Sequence, residues 1–434
     1  MKVLVVGGGG REHALAWRLR RDASVTDVLA APGNPGIAEV ARCVEVRADD
    51  LVGLVDLARR ELVDLVVVGP EVPLVAGLAD AMGAGGVAVF GPSAAAARLE
   101  GSKAFAKDVM RRADVPTARS ATFTRRDWAT DPGTVVSFLD DELGGGPAVV
   151  KADGLAAGKG VVVADTRDEA AYAVEAALGH DAFGAAGASV VIEERLEGPE
   201  VSAFALSDGH RVVPVGFAQD AKRAGDGDTG PNTGGMGAFS PVPFVDAATA
   251  ERIRVDVLER TVDAMAADGV PYRGVVYAGL MLSSDGPKVL EFNCRFGDPE
   301  TQALMPLLRT DPAHLFLDCA RGSLGDDSVE LDPFACVTVV VASGGYPGDH
   351  ATGLEISGLD AAASLEGVTV FHSGTVERRG RVVTAGGRVV SVSAVGGSLA
   401  EARERAYEAV SHVGFEGRYH RTDIAARAAK EEGT

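Results

Sequence analysis

Cysteine is scarce in this chain, with four in 434 residues (Cys43, Cys294, Cys319, Cys336) and no C-x-x-C pair among them. That spacing offers neither a disulfide framework nor a zinc cluster, and it suits a reducing compartment. Long apolar runs are missing too: none approaches the ~20 residues that span a bilayer. The N-terminus, MKVLVVGGGG, passes straight from an apolar run into glycines without a signal-peptide cleavage pattern. The expectation is a cytoplasmic protein with no membrane partner. Positive charge is in deficit: a formal net charge of −20 argues against nucleic acid as a partner for the whole surface. An anionic substrate would need local basic groups. Aromatic residues make up only 5%, which suits Gly- and Ala-rich α/β packing. Apolar residues, at 46%, suffice for real cores, and the length suits about three domains.

The first hundred residues alternate between strand and helix patterns. Lys2 to Val6 reads as a buried strand, followed by four glycines and the amphipathic helix REHALAWRLRR. A strand, a glycine turn and a helix N-terminus together form an anion site of backbone N–H groups. The dinucleotide fingerprint G-x-G-x-x-G fails, because its third glycine falls on Glu12 or His13. The second strand, Val28 to Ala31, ends in Ala-Pro-Gly without an acid for a ribose, so a nicotinamide or flavin oxidoreductase is disfavoured. Strand ends at APGNPG, GPEVP and GPS then line up as the crevice edge of a doubly wound parallel sheet.

Further along, the strand-rich stretch from about 118 to 187 contains AVVKADGLAAGKGVVVA. Two strands, Ala148 to Lys151 and Val161 to Ala164, flank a glycine loop carrying Lys159. Such a loop can fold over phosphates with its backbone N–H groups turned inward. Its spacing is not that of a Walker A loop, and a plain mobile hairpin remains the alternative. VVIEERLEGPE ends a strand in acids that suit ribose hydroxyls or an exocyclic amine, or that are ordinary exposed charges. QDAKRAGDGDTGPNTGGMGAFSP, residues 219 to 241, reads as a long structureless loop of mixed polar chemistry, hence a substrate loop. From about Leu331 the chain reads as an apparently separate α/β unit, with His372 and His412 structural.

The stretch KVLEFNCRFGDPETQ, residues 288 to 302, carries the most chemistry. As a strand it puts Glu291, Asn293 and Arg295 on one face and Phe292, Cys294 and Phe296 on the other. Oxygen ligands suit Mg²⁺ held together with substrate phosphates, and the guanidinium suits an anionic group. By itself the pattern also fits a half-exposed strand with a surface ion pair.

Taken together, GGGGREHALAW, GPEVPL, LEGSKAFAK, KADGLAAGKGV, IEERLEGPEVS, DTGPNTGGMGA and EFNCRFGDPETQ resemble the phosphoribosylamine–glycine ligase (glycinamide ribonucleotide synthetase) family of the ATP-grasp superfamily, from residue 1 to about 425. The resemblance implies an N-terminal doubly wound parallel-sheet domain (1–101), a central ATP-grasp fold of two α+β subdomains (102–328, with a lid at about 118–188) and a small C-terminal α/β domain (329–434). It implies ATP-dependent ligation of glycine to 5-phosphoribosylamine through a glycyl phosphate, with ATP and Mg²⁺, or Mn²⁺ in its place. It further implies metal ligands Glu291 and Asn293. Phosphate contacts fall on Lys103, Lys151 and the loop Gly158, Lys159 and Gly160. Glu193, Glu194 and Leu196 become the adenine hinge, and Glu200 the ribose ligand. Arg295, with Lys151 and Lys159, takes the catalytic role. Gly9, Gly10, Arg11, Asn34 and Glu71, faced by Asp220, Lys222 and Arg295, become the phosphoribosylamine crevice. A monomer is implied, with transient contact to the upstream amidotransferase as a further option. Departures stand out. Many relatives have Asn or Ser in place of Gly8 and His in place of Ala221. Many ATP-grasp enzymes carry an acid on the strand before the metal strand, where this chain reads YAGLML.

Overall fold

The computed structural model describes residues 1–154, 160–180, 184–325 and 328–432. Five parallel strands open the chain: β1 (Lys2–Gly7), β2 (Asp27–Pro32), β3 (Arg42–Cys43), β4 (Leu65–Val68) and β5 (Ala88–Phe90), in the order β3-β2-β1-β4-β5. The unbroken apolar run of β1 has its reason here. Leu4 and Val6 enter one core cluster while Val3 and Val5 enter another, so both faces of the sheet are covered. The sheet's reversal of strand order beside β1 leaves a crevice at the carboxyl ends of β1 and β4, where the glycine turn and Glu71 lie.

The next strands, β6 (Ser120–Thr124), β7 (Ala148–Ala152), β8 (Val161–Ala164) and β9 (Ser189–Glu194), form an antiparallel sheet in the order β6-β9-β7-β8. Helices Arg125–Thr130, Pro132–Ser137 and Arg167–Val174 intervene, so the segment read as strand-rich is an α+β unit. Val135, Leu139 and Val174 cover one face of its strands, against Val150 and Ile192.

The remaining strands are β10 (Glu200–Asp208), β11 (Val212–Asp220), β12 (Arg223–Gly225), β13 (Thr229–Asn232), β14 (Gly237–Ser240), β15 (Arg273–Ser283), β16 (Gly286–Asn293), β17 (Ala335–Ala342), β18 (Val368–His372), β19 (Thr375–Arg378), β20 (Arg381–Thr384) and β21 (Arg388–Gly396). Eight of them make one antiparallel sheet in the order β16-β15-β10-β11-β14-β17-β21-β18. The residues after about 331, read as a separate unit, thus share a sheet with the strands that precede them, through β14 and β17. Nor is the stretch 219–241 structureless. It holds the end of β11, the hairpin β12–β13 and all of β14. Glycine and proline density hid these short strands, whose pairing needs partners far away in sequence.

The amino-terminal helix Gly10–Leu19 docks on β18, where His372 N donates to His13 Nδ1 at 2.9 Å. Burial, with His372 alongside, pushes His13 down to about 3, and burial pushes His372 down to about 4. Both stand below the ordinary 6.5, so the unfolded chain takes up these protons first. The stability that the neutral pair supports is complete above pH 6.5 and is lost as pH falls toward 4. Each histidine contributes a slope of about 1.4 kcal/mol per pH unit in that window. The melting temperature is expected to fall between pH 7 and pH 5, and His372→Gln should remove about half of that fall. An unchanged pH dependence in the variant would contradict the assignment.

Candidate active site

Strand β16 ends at Asn293, so Arg295 stands in the turn after it rather than on the strand face. The expected grouping nevertheless survives, because Arg295 Nη2 donates to Asn293 Oδ1 at 3.0 Å while Phe292, Cys294 and Phe296 are buried. Glu291 is the carboxylate around which the cations gather. Desolvation pushes its carboxyl group up, but Lys222, Lys151, Lys103 and Arg295 outweigh it and hold the group below the usual range. Glu291 is nonetheless open to solvent, so the cations enclose it without covering it. Lys151 Nζ reaches this place by donating to Leu290 O at 2.8 Å, and Lys103 Nζ donates to Gly154 O at 3.0 Å. Burial, only partly offset by Glu291, lowers the Lys103 ammonium. Four cations around one carboxylate form a basin for a polyanion.

Lys222 also meets Glu200 at 2.8 Å. Its neighbour Asp220 is pushed up by desolvation, against the pull of Lys222 and with help from Glu300, Glu200 and Glu291. Behind them Tyr277 Oη donates to Glu300 Oε1 at 2.6 Å, and Ser202 Oγ donates to the same oxygen at 3.2 Å. Glu300 belongs to the RFGDPETQ run, but its buried network with two distant strands has no sequence signature.

On the opposite side Glu193 is buried between Lys151 at 3.0 Å and Lys107 at 3.1 Å. Its carboxylate is therefore engaged in positioning Lys151. Glu194 turns its carboxylate to Arg119, accepting from Arg119 N at 3.0 Å, and half-buried Leu196 follows in the connection to β10. The backbone N–H of Glu194 is likewise engaged, donating to Arg119 O at 2.9 Å. Gly160 accepts a hydrogen bond from Ala152 N at 2.7 Å as the loop returns to β8. Gly158 and Lys159 lie outside the described residues.

Glu71 and Arg295 come together across the N-terminal crevice, at 3.4 Å, and Arg11 Nη1 donates to Phe296 O at 3.2 Å. Asn34 is consumed internally: its amide nitrogen donates to Gly8 O and His372 O, and its Oδ1 accepts from Ile37 N. These bonds tie the turn after β2 to the glycine turn and to β18. Gly10 is packed so that a Cβ would lie 2.5 Å from both Gln302 Nε2 and Ser373 Oγ, and one on Gly9 would lie 2.8 Å from Glu12 Oε2. A Cβ on Gly8 would meet Gly33 O at 2.5 Å, which accounts for glycine at that departure.

Sequence reasoning missed three residues here. Glu100 accepts from Cys294 N at 2.7 Å and from Arg295 Nη2 at 3.0 Å, so it fixes the turn that presents Arg295. Asp298 takes Gln302 Nε2 at 2.8 Å and Arg388 Nη1 at 3.2 Å. Arg388, which also donates to Gly234 O at 2.6 Å, comes from β21 and joins the polar loop to the site. Glu100 and Asp298 sat inside quoted motifs, whereas nothing marked Arg388.

The donor set fits a hard divalent ion held jointly with phosphates. Glu291 supplies a carboxylate and Asn293 an amide oxygen, though Arg295 shares the latter. Among the described residues no three acids, histidines or cysteines cluster as a metal site. Gly279 pairs with Glu291, and a Cβ there would lie 3.3 Å from Glu291 Cγ, so the neighbouring strand offers glycine where an acid would stand beside Glu291.

Residues 1–100 match the N domain of phosphoribosylglycinamide synthetase, residues 101–301 its ATP-grasp (A) domain and residues 336–427 its C domain. A phosphoribosylamine–glycine ligase of Streptomyces coelicolor is 53% identical over 432 residues, covering 99% of this chain and 100% of that one. One from Rhizobium meliloti is 49% identical over 433 residues, covering 100% of both. The crystal structure of phosphoribosylamine–glycine ligase from Thermotoga maritima superposes with a TM-score of 0.84 at 33% identity, covering 98% of this chain and 100% of that one. The biotin carboxylase domain of Hydrogenobacter thermophilus 2-oxoglutarate carboxylase shares the fold, with a TM-score of 0.72 at 18% identity over 96% of this chain and 91% of that one. The chain belongs to the phosphoribosylglycinamide synthetase family, with its ATP-grasp domain at the centre.

Proposed function

We propose that the chain ligates glycine to 5-phosphoribosylamine with ATP, giving glycinamide ribonucleotide, ADP and phosphate in de novo purine synthesis. The observation that carries this reading is the cationic surroundings of the Glu291–Asn293 strand end: Lys151 Nζ bonds Leu290 O at 2.8 Å, Arg295 Nη2 bonds Asn293 Oδ1 at 3.0 Å, and Lys222, Lys151, Lys103 and Arg295 together hold the Glu291 carboxyl below its usual range. A carboxylate is a poor acyl donor until one of its oxygens becomes a leaving group. In the first step a glycine carboxylate oxygen attacks the γ-phosphorus, the bond to ADP breaks, and glycyl phosphate forms. In the second the phosphoribosylamine nitrogen attacks the glycyl carbonyl carbon, the C–O bond to phosphate breaks, and the amine's proton leaves to solvent.

Lys103 and Lys151 neutralise phosphate charge, and Glu193 with Lys107 holds Lys151 in place. Arg295 faces the charge that develops on the acyl phosphate. Lys159 and the Gly158–Gly160 loop cover the phosphates in this reading, and Glu200 and the connection after Glu193 receive the nucleoside. Glu291 and Asn293 would hold Mg²⁺, or Mn²⁺, which supplies Lewis-acid neutralisation of the phosphates. Gly9, Gly10, Arg11 and Glu71, opposite Asp220, Lys222 and Arg295, frame the amine substrate, with Asn34 shaping the wall. The functional division is 1–101, 102–328 and 329–434, in a cytoplasmic monomer that meets the amidotransferase transiently. Among the described residues no helix is long and apolar enough to cross a membrane.

The test is ADP release with Mg²⁺ and ATP, first with glycine alone and then with freshly generated phosphoribosylamine added. ADP should appear only with both, matched by glycinamide ribonucleotide. A folded, ATP-binding protein that releases none would shift the reading to a different acid or amine.

A further inference from the structure

Between Lys222 and Gly235 the chain makes the exposed hairpin β12–β13, which has little apolar packing of its own. It is tied down from the far end of the sequence. Tyr419 Oη donates to Ala224 O at 2.8 Å, and Arg421 Nη1 donates to Arg223 O at 3.1 Å and Asp228 Oδ1 at 2.7 Å. Thr422 N donates to Asp226 Oδ1 at 2.8 Å, while Asp423 Oδ2 accepts from Gly227 N at 2.8 Å. Arg421 is 3% exposed and grips Asp423 with a two-point fork at 2.8 and 2.7 Å. The strap is itself anchored to the helix Leu399–His412: Tyr407 Oη donates to Arg421 O at 2.8 Å, and Arg403 Nη2 donates to Thr422 O at 2.6 Å.

The base of the hairpin is the site. Thr233 N and Thr233 Oγ1 both donate to Lys222 O, at 2.8 and 2.9 Å. Just beyond, Tyr346 Oη accepts from Gly234 N at 2.9 Å. Lys222 therefore carries its ammonium on a backbone whose position depends on the hairpin, and the hairpin depends on residues 419–423. A loop of glycines left to itself would pay its ordering entropy when substrate binds. Here polar contacts to its backbone set it beforehand.

We propose that Arg421 is a positioning residue of the ligase, acting through the β12–β13 hairpin to hold Lys222 ready for the amine substrate. This rests on the function proposed above, which assigns Lys222 to that substrate. Among the described residues, the hydrogen bonds and ion pairs of residues 419–423 do not include Lys103 or Lys151. Lys222 also pairs with Glu200 at 2.8 Å, so the effect should fall mainly, not solely, on the phosphoribosylamine side.

The experiment uses the full chain and three variants, Arg421→Ala, Arg421→Lys and Asp228→Asn. Steady-state kinetics are measured for each substrate, with amide hydrogen exchange of residues 223–232 in the substrate-free protein. Arg421→Ala should raise KM for phosphoribosylamine by about tenfold to a hundredfold, raise KM for ATP by a clearly smaller factor through the Lys222–Glu200 pair, and accelerate exchange in the hairpin. Arg421→Lys, which keeps the charge and loses the fork, should fall between it and the parent chain. Asp228→Asn removes the exposed partner without disturbing the buried guanidinium, so it reads the same effect, smaller, should Arg421→Ala fail to fold. Unaltered hairpin exchange in Arg421→Lys and Asp228→Asn overturns the proposal. So does a fall in kcat with every KM rising by the same factor alongside a lower melting temperature, because that is the mark of a structural role only. A parent chain that makes no glycinamide ribonucleotide removes the function, and the exchange measurement then still reports whether the strap orders the hairpin.

Discussion

Glu291→Ala is expected to abolish ligation, by at least about a thousandfold in kcat/KM, while the chain stays folded. The two halves of that expectation have separate causes. Glu291 is open to solvent at the end of β16, and the cations near it have closer partners, Lys151 in Glu193, Lys222 in Glu200 and Arg295 in Glu100. Its removal leaves no cavity and no orphaned carboxylate. For catalysis the loss is much larger. Gly279 stands where the adjacent strand could have supplied a second acid, so β15 offers no substitute directly beside Glu291. Without it, Asn293 would be the remaining oxygen ligand for a divalent ion, and Arg295 already shares that oxygen. Circular dichroism and a thermal melt would check the fold, and ADP release with both substrates would check turnover. Activity within tenfold of the parent chain would remove Glu291 from the metal site.

Arg295→Ala should lose activity on a similar scale and, unlike Glu291→Ala, lose stability as well. The guanidinium lies between Glu100 at 3.0 Å and Glu71 at 3.4 Å and also bonds Asn293. Desolvation opposes its charge, but Glu100 and Glu71 more than compensate and raise it above the ordinary range. Glu71 is likewise held below the usual carboxylate range: desolvation pushes it up, and Arg295 with Arg11 pulls it further down. Removing the cation strands Glu100, whose side chain is 8% exposed. Breaking one partner out of a buried pair typically costs about 3–5 kcal/mol. Arg295→Lys keeps a charge but cannot serve two carboxylates and an amide from one planar fork, so it should recover stability better than activity. A melting temperature for Arg295→Ala equal to that of Glu291→Ala would show that the carboxylates do not need it.

Local chemistry was readable where one short stretch held both the pattern and its partner. The period change from VLVV to REHALAW marked strand, turn and helix, although the helix proves buried nearly all round, its polar residues Arg11, Glu12, His13 and Arg18 included. The alternation in EFNCRF gave the right separation of polar from apolar side chains, although the strand stops two residues before Arg295. What escaped depends on distance in sequence. Glu100 acts on residues 294 and 295, and Lys107 acts on Glu193. Arg388 reaches Gly234 and Asp298. No periodicity can announce such pairs, since each partner looks like a solvated surface charge until the fold brings them together. Asn34 shows the same limit. A polar residue in a glycine-rich turn suggests a ligand, and no pattern in the sequence shows that its amide nitrogen also bonds Gly8 O and, from β18, His372 O.

The strand pairing β14–β17 has a consequence for how this enzyme can be altered. Because one sheet runs from β16 to β18, narrowing to two residue pairs between β11 and β14 but pairing β14 with β17 over four, the C-terminal part is not a cartridge that can be exchanged for another. Cutting between β16 and β17 would bare the row of amide and carbonyl groups along β14, an open template for mispairing with other chains. Variation is better absorbed at the sheet's two natural margins, β16 and β18, and at the ends of the chain, where additional modules can be appended without breaking a ladder.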